Sequence, residues 1–117
     1  NISIYIIIKM NSYEEAIDTV LTLIKKNENI ILYGSGSNGK SYLINQLKEN
    51  LKQYVVYHEF DINLINKQCI KPMVKSMVKP TVKPTVYPFI TSINSLDEIK
   101  SLDKNNYKLV DMNHIRF

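Results

Sequence analysis

The three glycines of this chain all lie in one short segment, GSGSNGKS at residues 34–41. A continuous apolar run, Ile30–Tyr33, comes directly before this segment. Leu43, Leu47 and Leu51 follow it at helical spacing. An unbroken apolar run is typical of a strand buried on both faces of a parallel sheet. Because glycine reaches backbone conformations that other residues avoid, the sequence predicts a tight loop that joins a buried strand to a helix.

The residue types in this loop point to phosphate binding. Its spacing fits the pattern G-x-x-x-x-G-K-[ST] in full, a match expected by chance in roughly one of several hundred chains of this length. Such a loop turns several backbone N–H groups toward phosphate oxygens, while its lysine reaches the β and γ phosphates and its hydroxyl binds Mg²⁺. The expected cofactors are therefore ATP and Mg²⁺. The predicted nucleotide-binding residues are Gly34, Ser35, Gly36, Ser37, Asn38, Gly39, Lys40, Ser41 and Tyr42.

The segments around the loop predict alternating strands and helices. Ser12 is a candidate N-cap, and Glu15 stands three residues later as in a capping box. A strand, a helix and a second strand in this order form a right-handed crossover in nearly all cases, which places the loop at the carboxyl edge of a parallel sheet. The expected elements are strands at Ile2–Ile8, Ile30–Tyr33 and Tyr54–Phe60, with helices at Ser12–Lys26 and from the loop to about Gln53.

The C-terminal part adds three expected elements: a strand at Tyr87–Ile93, a short helix at Leu96–Leu102 and a last strand at Tyr107–Met112. A chain of 117 residues has room for one small core and therefore for one domain, 1–117. The predicted fold class is α/β, a three-layer parallel sheet like that of P-loop NTPases. Complete P-loop ATPases are usually longer, so a small version of this fold is expected, either whole or with parts missing.

A repetitive basic segment at 71–88 interrupts this pattern. Its tetrapeptides KPMV, KSMV, KPTV and KPTV place prolines where a helix cannot form. One interpretation is a linker or insertion. The other is a strip that binds single-stranded nucleic acid by neutralising phosphates, through Lys67, Lys71, Lys75, Lys79 and Lys83.

Asn38, directly before Gly39-Lys40-Ser41, makes the loop resemble the Walker A motif of viral superfamily 3 helicases and related viral P-loop ATPases. The resemblance implies an ATPase with two further motifs. One is a strand that ends in a polar sensor, which PFITSIN resembles, with Asn94 as the sensor that helps to place the attacking water.

The other implied motif is a strand that ends in acids. YVVYHEFD is the candidate: Asp61 would hold Mg²⁺ through water, and Glu59 or Asp61 would polarise the attacking water. Asp111, after YKLV, is an alternative acid. The predicted catalytic residues are therefore Lys40, Glu59, Asp61 and Asn94, and the predicted metal ligands are Ser41 and Asp61.

Three functions remain open at this point. The first is a Mg²⁺-dependent, helicase-like ATPase of a DNA virus, and the second is a nucleotide-binding remnant or regulator that does not hydrolyse ATP. The third, a small nucleoside-type kinase, needs an arginine-rich lid, and the chain has only Arg116. The same arginine could complete a neighbour's site in a homo-oligomer.

Cysteine and histidine usage favours an intracellular protein without a Cys/His metal site. Cys69 is the single cysteine, and His58 and His114 stand apart from it. The apolar run at Ile2–Ile8 is far shorter than the ~20 residues of a membrane-spanning helix. The start of the protein is open between Asn1 and Met10. Frequent Asn, Ile and Lys indicate an AT-rich genome, and a viral replication site is one expected location.

Overall fold

The computed structural model describes residues 6–35, 39–67, 87–102 and 106–115. These segments contain five strands and three α-helices, with two short 3-10 helices at Lys48–Leu51 and Leu96–Ile99. The strands are β1 Ile6–Lys9, β2 Ile30–Tyr33, β3 Val55–Tyr57, β4 Phe89–Ile93 and β5 Lys108–Asp111. The helices are α1 Tyr13–Lys25, α2 Lys40–Gln46 and α3 Ile62–Lys67.

All five strands are parallel and form one sheet in the order β1-β5-β2-β4-β3. The chain moves from one edge through the centre to the other edge, then returns through β4 and β5. Right-handed crossovers in these two directions place their helices on opposite faces of the sheet. The predicted α/β fold with a three-layer parallel sheet is confirmed.

Side chains of the central strand alternate between two cores, one on each face. Ile30 and Leu32 pack with residues of α1 and α2, whereas Ile31 packs with the part of the chain that contains α3 and the second 3-10 helix. These three β2 side chains are completely buried. Burial on both faces explains why the strand is apolar without interruption, so β2 has the bounds that its sequence predicts.

The bounds of α1, Tyr13–Lys25, agree closely with the helix that the sequence predicts at Ser12–Lys26. Ser12 Oγ accepts a hydrogen bond from the Glu15 N–H at 3.1 Å, which confirms Ser12 as the N-cap of α1. Asn29, which precedes β2, joins the amino ends of three strands: its Oδ1 accepts from the Phe89 N–H at 3.0 Å and its backbone carbonyl accepts from the Lys108 N–H at 2.8 Å.

The helix after the loop and the strand that follows it are shorter than predicted. α2 ends at Gln46, and the chain continues as the 3-10 helix Lys48–Leu51. Leu47, at the junction, and Leu51, at the end of the 3-10 helix, are both buried. The apolar spacing therefore continues across the change and did not reveal it. The strand expected at Tyr54–Phe60 is only Val55–Tyr57, because the chain leaves the sheet edge and begins α3 at Ile62.

α3 itself was not predicted. Its six residues INLINK bury only Ile65, so the segment carries too little apolar periodicity to be recognised as a helix. The segment expected as a helix at Leu96–Leu102 is the four-residue 3-10 helix. Residues 71–86 of the basic repeat lie outside the described residues, as do residues 2–5 of the expected first strand. Within the described segments, no helix has the length and apolar character needed to cross a bilayer.

Candidate phosphate-binding site

The glycine loop leaves the carboxyl end of β2, in the middle of the sheet. Its first residue is fixed to one neighbour, since the Gly34 N–H donates to the Ile93 carbonyl at the end of β4 at 3.2 Å. On the other side, the Met112 N–H after β5 donates to the Tyr33 carbonyl at 2.8 Å. The connections that follow β2 and β4 run to opposite faces of the sheet, which leaves a crevice between the ends of these two strands. Open α/β sheets bind their ligands in such a crevice.

Gly39 ends the loop in a conformation that requires glycine. Its φ of 78° and ψ of 15° lie in the left-handed region, where a Cβ would be strained. Gly39 is also the N-cap of α2, and its carbonyl accepts from the Leu43 N–H at 2.9 Å. The positive φ therefore explains why the loop pattern has a glycine at this position. Gly36, Ser37 and Asn38 lie outside the described residues, so their phosphate contacts stay predictions.

Lys40 turns its ammonium group back across the loop. Its side chain is almost fully buried, and Nζ donates a hydrogen bond to the Gly34 carbonyl. Burial lowers the pKa of Lys40 below its ordinary value, while the nearby negative charge of Glu98 acts in the opposite direction. Because so little water reaches this ammonium, its attraction for an anion is weakened less by the solvent than at an exposed lysine.

A cavity of about 610 Å³ opens beside the loop. This volume is within the usual range for small-molecule sites. It brings together Lys40 and Ser41 from the loop, Glu59 after β3 and Asn94 after β4, which the sequence predicted as separate candidates. The described residues that line the cavity are Gly39, Lys40, Ser41, Tyr42, His58, Glu59, Phe60, Ser92, Asn94 and Glu98.

Asp61, the other predicted acid, serves as the N-cap of α3. Its Oδ1 accepts from the Asn63 N–H at 3.1 Å and from the Leu64 N–H at 3.2 Å. It is not among the described residues that line the cavity. Glu59, the other predicted acid after β3, does line the cavity together with Ser41. Asp61 as a Mg²⁺ ligand stays a prediction.

The donor set suits Mg²⁺ only when a phosphate is also present. Among the described residues, no group of three or more His, Cys, Asp or Glu side chains could hold a metal ion. Mg²⁺ in phosphoryl-transfer sites takes one or two protein ligands, substrate phosphates and several waters. The Ser41 hydroxyl, which lines the cavity, can supply one such protein ligand.

Glu98 also lines the cavity, and sequence reasoning missed it. Its Oε2 accepts from the Asn94 N–H at 2.8 Å and from the Ser95 N–H at 3.1 Å, while Ser95 Oγ accepts from the Asp97 N–H at 3.3 Å. These bonds form a capping box at the start of the second 3-10 helix and fix a carboxylate near Lys40. The S-x-x-E spacing of Ser95 and Glu98 was a readable signal.

A second hydrogen-bonded group supports the loop from β5. Asn113 Oδ1 accepts from the Ser35 N–H at 2.8 Å and from the Ser35 hydroxyl at 3.2 Å. The Asn113 N–H and Nδ2 both donate to Asp111 Oδ1 at 2.9 Å. Asp111, the alternative acid, is buried and does not line the cavity among the described residues, so it positions Asn113. No local signal predicts a contact between residues 78 positions apart.

A more apolar cavity of about 530 Å³ lies next to the first, between α2 and the edge strand β3. His58 lines both cavities. The His58 and His114 side chains are both exposed. The residues around the second cavity are Ile44, Asn45, Lys48, Leu51, Tyr54, Val55, Val56 and His58. His58 therefore marks the boundary between a polar site and an apolar one.

Comparison with known proteins identified no relative: no protein-family model, curated protein or solved structure matches the chain significantly.

Proposed function

We propose that this chain binds a nucleoside triphosphate, with ATP as the expected one, together with Mg²⁺ in the cavity beside the glycine loop. The observation that carries the proposal is the convergence of Lys40, Ser41, Glu59 and Asn94 on that cavity. Lys40 offers a largely buried ammonium, and Ser41 directly beside it offers a hydroxyl. A basic group with a metal-binding hydroxyl is the combination that a polyphosphate with Mg²⁺ requires.

Each side chain has a distinct task in this proposal. Lys40 contacts the β and γ phosphates, and the Ser41 hydroxyl binds the metal ion, which neutralises charge that develops on the phosphates. Glu59 polarises the attacking water, since it is the acid after β3 that lines the cavity. Asn94, which follows β4, orients that water. In this form the chain is an ATPase that resembles viral helicases.

Binding without turnover is the second candidate. The observation that favours it is that two of the nearby acids already accept hydrogen bonds from the backbone. Asp61 caps α3, and Glu98 accepts hydrogen bonds from two backbone N–H groups. Hydrolysis therefore depends on Glu59 alone among the acids that line the cavity. If Glu59 does not serve, the chain is a nucleotide-binding remnant or regulator.

Nucleic acid is the proposed partner of the ATPase form. Five lysines from Lys67 to Lys83 would neutralise phosphates of single-stranded DNA, and Lys67 is exposed at the end of α3. An intracellular viral replication site is the proposed location, since it agrees with the single cysteine and with the frequent Asn, Ile and Lys that indicate an AT-rich genome. Assembly into a homo-oligomer, with Arg116 serving a neighbour's site, belongs to the same proposal.

The test of binding is an equilibrium titration of the purified chain with a fluorescent ATP analogue in the presence of Mg²⁺. We expect Lys40→Ala to weaken binding at least tenfold, since one charge-assisted contact in a buried site contributes about 1.5–3 kcal/mol. Lys25→Ala is the matched control, because Lys25 is an exposed lysine in the last turn of α1. Equal affinity of the wild type and Lys40→Ala would refute the proposal.

Phosphate release separates the two candidate functions. The ATPase reading predicts turnover that single-stranded DNA stimulates and that Glu59→Gln abolishes without loss of ATP binding. Lys40-dependent binding with no phosphate release would establish the non-hydrolysing alternative. Turnover that persists in Glu59→Gln would remove Glu59 from the proposed mechanism.

A further inference from the structure

Tyr42 is an exposed aromatic residue at the mouth of the phosphate cavity. It follows Ser41 directly, lines the same cavity as Lys40, and keeps 59% of its surface exposed. Exposed aromatic side chains are common when they stand alone on a surface. Tyr42 is different, since it stands beside a site with a lysine and a metal-binding hydroxyl.

A second tyrosine supports Tyr42 from behind. The ring centroids of Tyr13 and Tyr42 are 5.7 Å apart with an interplanar angle of 40°. Tyr13, the first residue of α1, is itself fixed, because its hydroxyl donates to Gln46 Oε1 at 2.9 Å. Gln46 lies one turn after Tyr42 on α2. The two rings therefore form an aromatic platform, Tyr13–Tyr42, that is held at both helices and still exposes much of the Tyr42 ring.

The platform and the candidate water-polarising acid lie on opposite sides of the loop. α1 connects β1 to β2 and so belongs to the half of the sheet that contains β1 and β5. Glu59 follows β3, the strand at the opposite edge. One cavity is thus lined by an aromatic ring, Tyr42, by the pair Lys40 and Ser41, and by the acid Glu59. A nucleotide offers a matching set of groups, with a flat ring at one end and the terminal phosphate at the other.

We propose that the Tyr13–Tyr42 platform stacks on the base of the nucleotide whose triphosphate the glycine loop binds; this inference rests on the function proposed above. Stacking uses the face of the ring, which every base has, so the platform recognises bases without reading their hydrogen-bonding edges. Purines offer the larger face. The inferred substrate class is therefore nucleoside triphosphates in general, with purine nucleotides bound more tightly than pyrimidine nucleotides.

The test compares ligands with and without a base. Mg²⁺ complexes of ATP, CTP and inorganic tripolyphosphate are titrated by calorimetry into the wild type, Tyr42→Ala and Tyr42→Phe. We expect Tyr42→Ala to weaken ATP binding about tenfold, the effect of losing one base–aromatic contact, and to leave tripolyphosphate binding unchanged. Tyr42→Phe keeps the ring and should keep the wild-type affinity for ATP. The wild type should bind ATP more tightly than CTP.

Three outcomes would overturn the inference. Unchanged ATP affinity in Tyr42→Ala would show that the base does not contact the platform. Equal weakening of ATP and tripolyphosphate would show that Tyr42 acts on the loop rather than on the base. If His58→Ala weakens the binding of ATP but not of tripolyphosphate, while Tyr42→Ala binds ATP like the wild type, the base lies in the neighbouring apolar cavity.

Failure of the underlying function gives a different result from failure of the platform. Tripolyphosphate needs only the loop, so Lys40→Ala must weaken it whether or not a base stacks on Tyr42. If the wild type binds neither ATP nor tripolyphosphate, both proposals are wrong. Thermal unfolding of each variant shows whether it is folded, and Tyr42 variants are expected to fold because the side chain is exposed.

Discussion

Replacing Asn113 with alanine tests how the sheet supports the glycine loop. The Asn113 side chain makes three hydrogen bonds: two to Ser35 at the start of the loop and one to the buried Asp111 carboxylate. The loop residue Ser35 is exposed, so water can replace the first two bonds at little cost. The bond from Asn113 Nδ2 to the buried Asp111 carboxylate contributes most to stability, because its acceptor is charged and shielded from water.

The expected loss of stability follows from these environments. A hydrogen bond to a charged group contributes about 1.5–3 kcal/mol, and an exposed neutral one contributes less than about 1 kcal/mol. We therefore expect Asn113→Ala to lower the free energy of unfolding by about 2 kcal/mol, which corresponds to a fall in Tm of about 8 °C for a chain of this size. Because a looser loop must be ordered on binding, the affinity for Mg²⁺ with ATP should fall about fivefold.

Urea denaturation and the ATP titration measure these two effects. Asn63→Ala is the control, since Asn63 is an exposed asparagine on α3 whose replacement should change the free energy of unfolding by less than about 0.5 kcal/mol. Asn113→Asp places a second carboxylate against Asp111 and should be less stable than Asn113→Ala. An Asn113→Ala variant with wild-type stability, or an Asn113→Asp variant more stable than it, would refute the reasoning.

Three further predictions concern buried polar groups. Lys40→Met should raise the free energy of unfolding by about 1 kcal/mol near neutral pH, because it removes a largely buried charge. The lowered pKa of Lys40 means that the unfolded chain binds the proton more tightly. The wild type therefore gains stability as pH rises through the folded-state pKa toward 10.5, and the difference between the two proteins, measured by urea denaturation, should shrink there. Tyr54→Phe removes a buried hydroxyl that donates to the Glu28 and Leu23 carbonyls, so a loss of about 1–2 kcal/mol is expected in thermal unfolding, against no change for Tyr42→Phe. Burial raises the pKa of Tyr54 above its ordinary 10.0, so stability should also decline as pH rises past 10, and Tyr54→Phe should lose less stability over that pH interval. Thr91→Val removes the bond from Thr91 Oγ1 to the Tyr57 carbonyl at 2.9 Å and should cost about 1–2 kcal/mol, as measured by urea denaturation; an unchanged midpoint would show that this bond does not hold β3.

The parts of the fold that local chemistry determines could be predicted from the sequence. β2 is buried on both faces, and an uninterrupted apolar run is typical of a strand that is covered on both sides of a parallel sheet. Ser12 caps α1 through a contact three residues away, which the spacing shows directly. Gly39 needs a left-handed conformation that the loop pattern anticipates. In each case, the determining interaction lies within a few residues of the position that it explains.

The parts that depend on distant contacts could not be read in this way. The Asn113 side chain matters only because β5 lies next to β2, so its bond to Ser35 has no local signature. The sequence around Asp61 is equally compatible with an acid at a strand end and with the N-cap of a helix. Only the start of α3 at Ile62 distinguishes the two roles. Glu59 and Asn94 were plausible separately, whereas their presence in one cavity follows from the order of β3, β4 and β2 in the sheet.

The central claim, that the glycine loop binds a triphosphate with Mg²⁺, is tested most directly by following individual backbone amides by NMR. Mg²⁺ with ATP is titrated into the isotopically labelled chain. We predict large shifts of the Gly34, Ser35, Gly39 and Lys40 amides, unchanged positions of the amides in α3, and loss of the response in Lys40→Ala. A loop whose amides do not move at saturating ATP, or shifts that arise only in another part of the chain, would contradict the account.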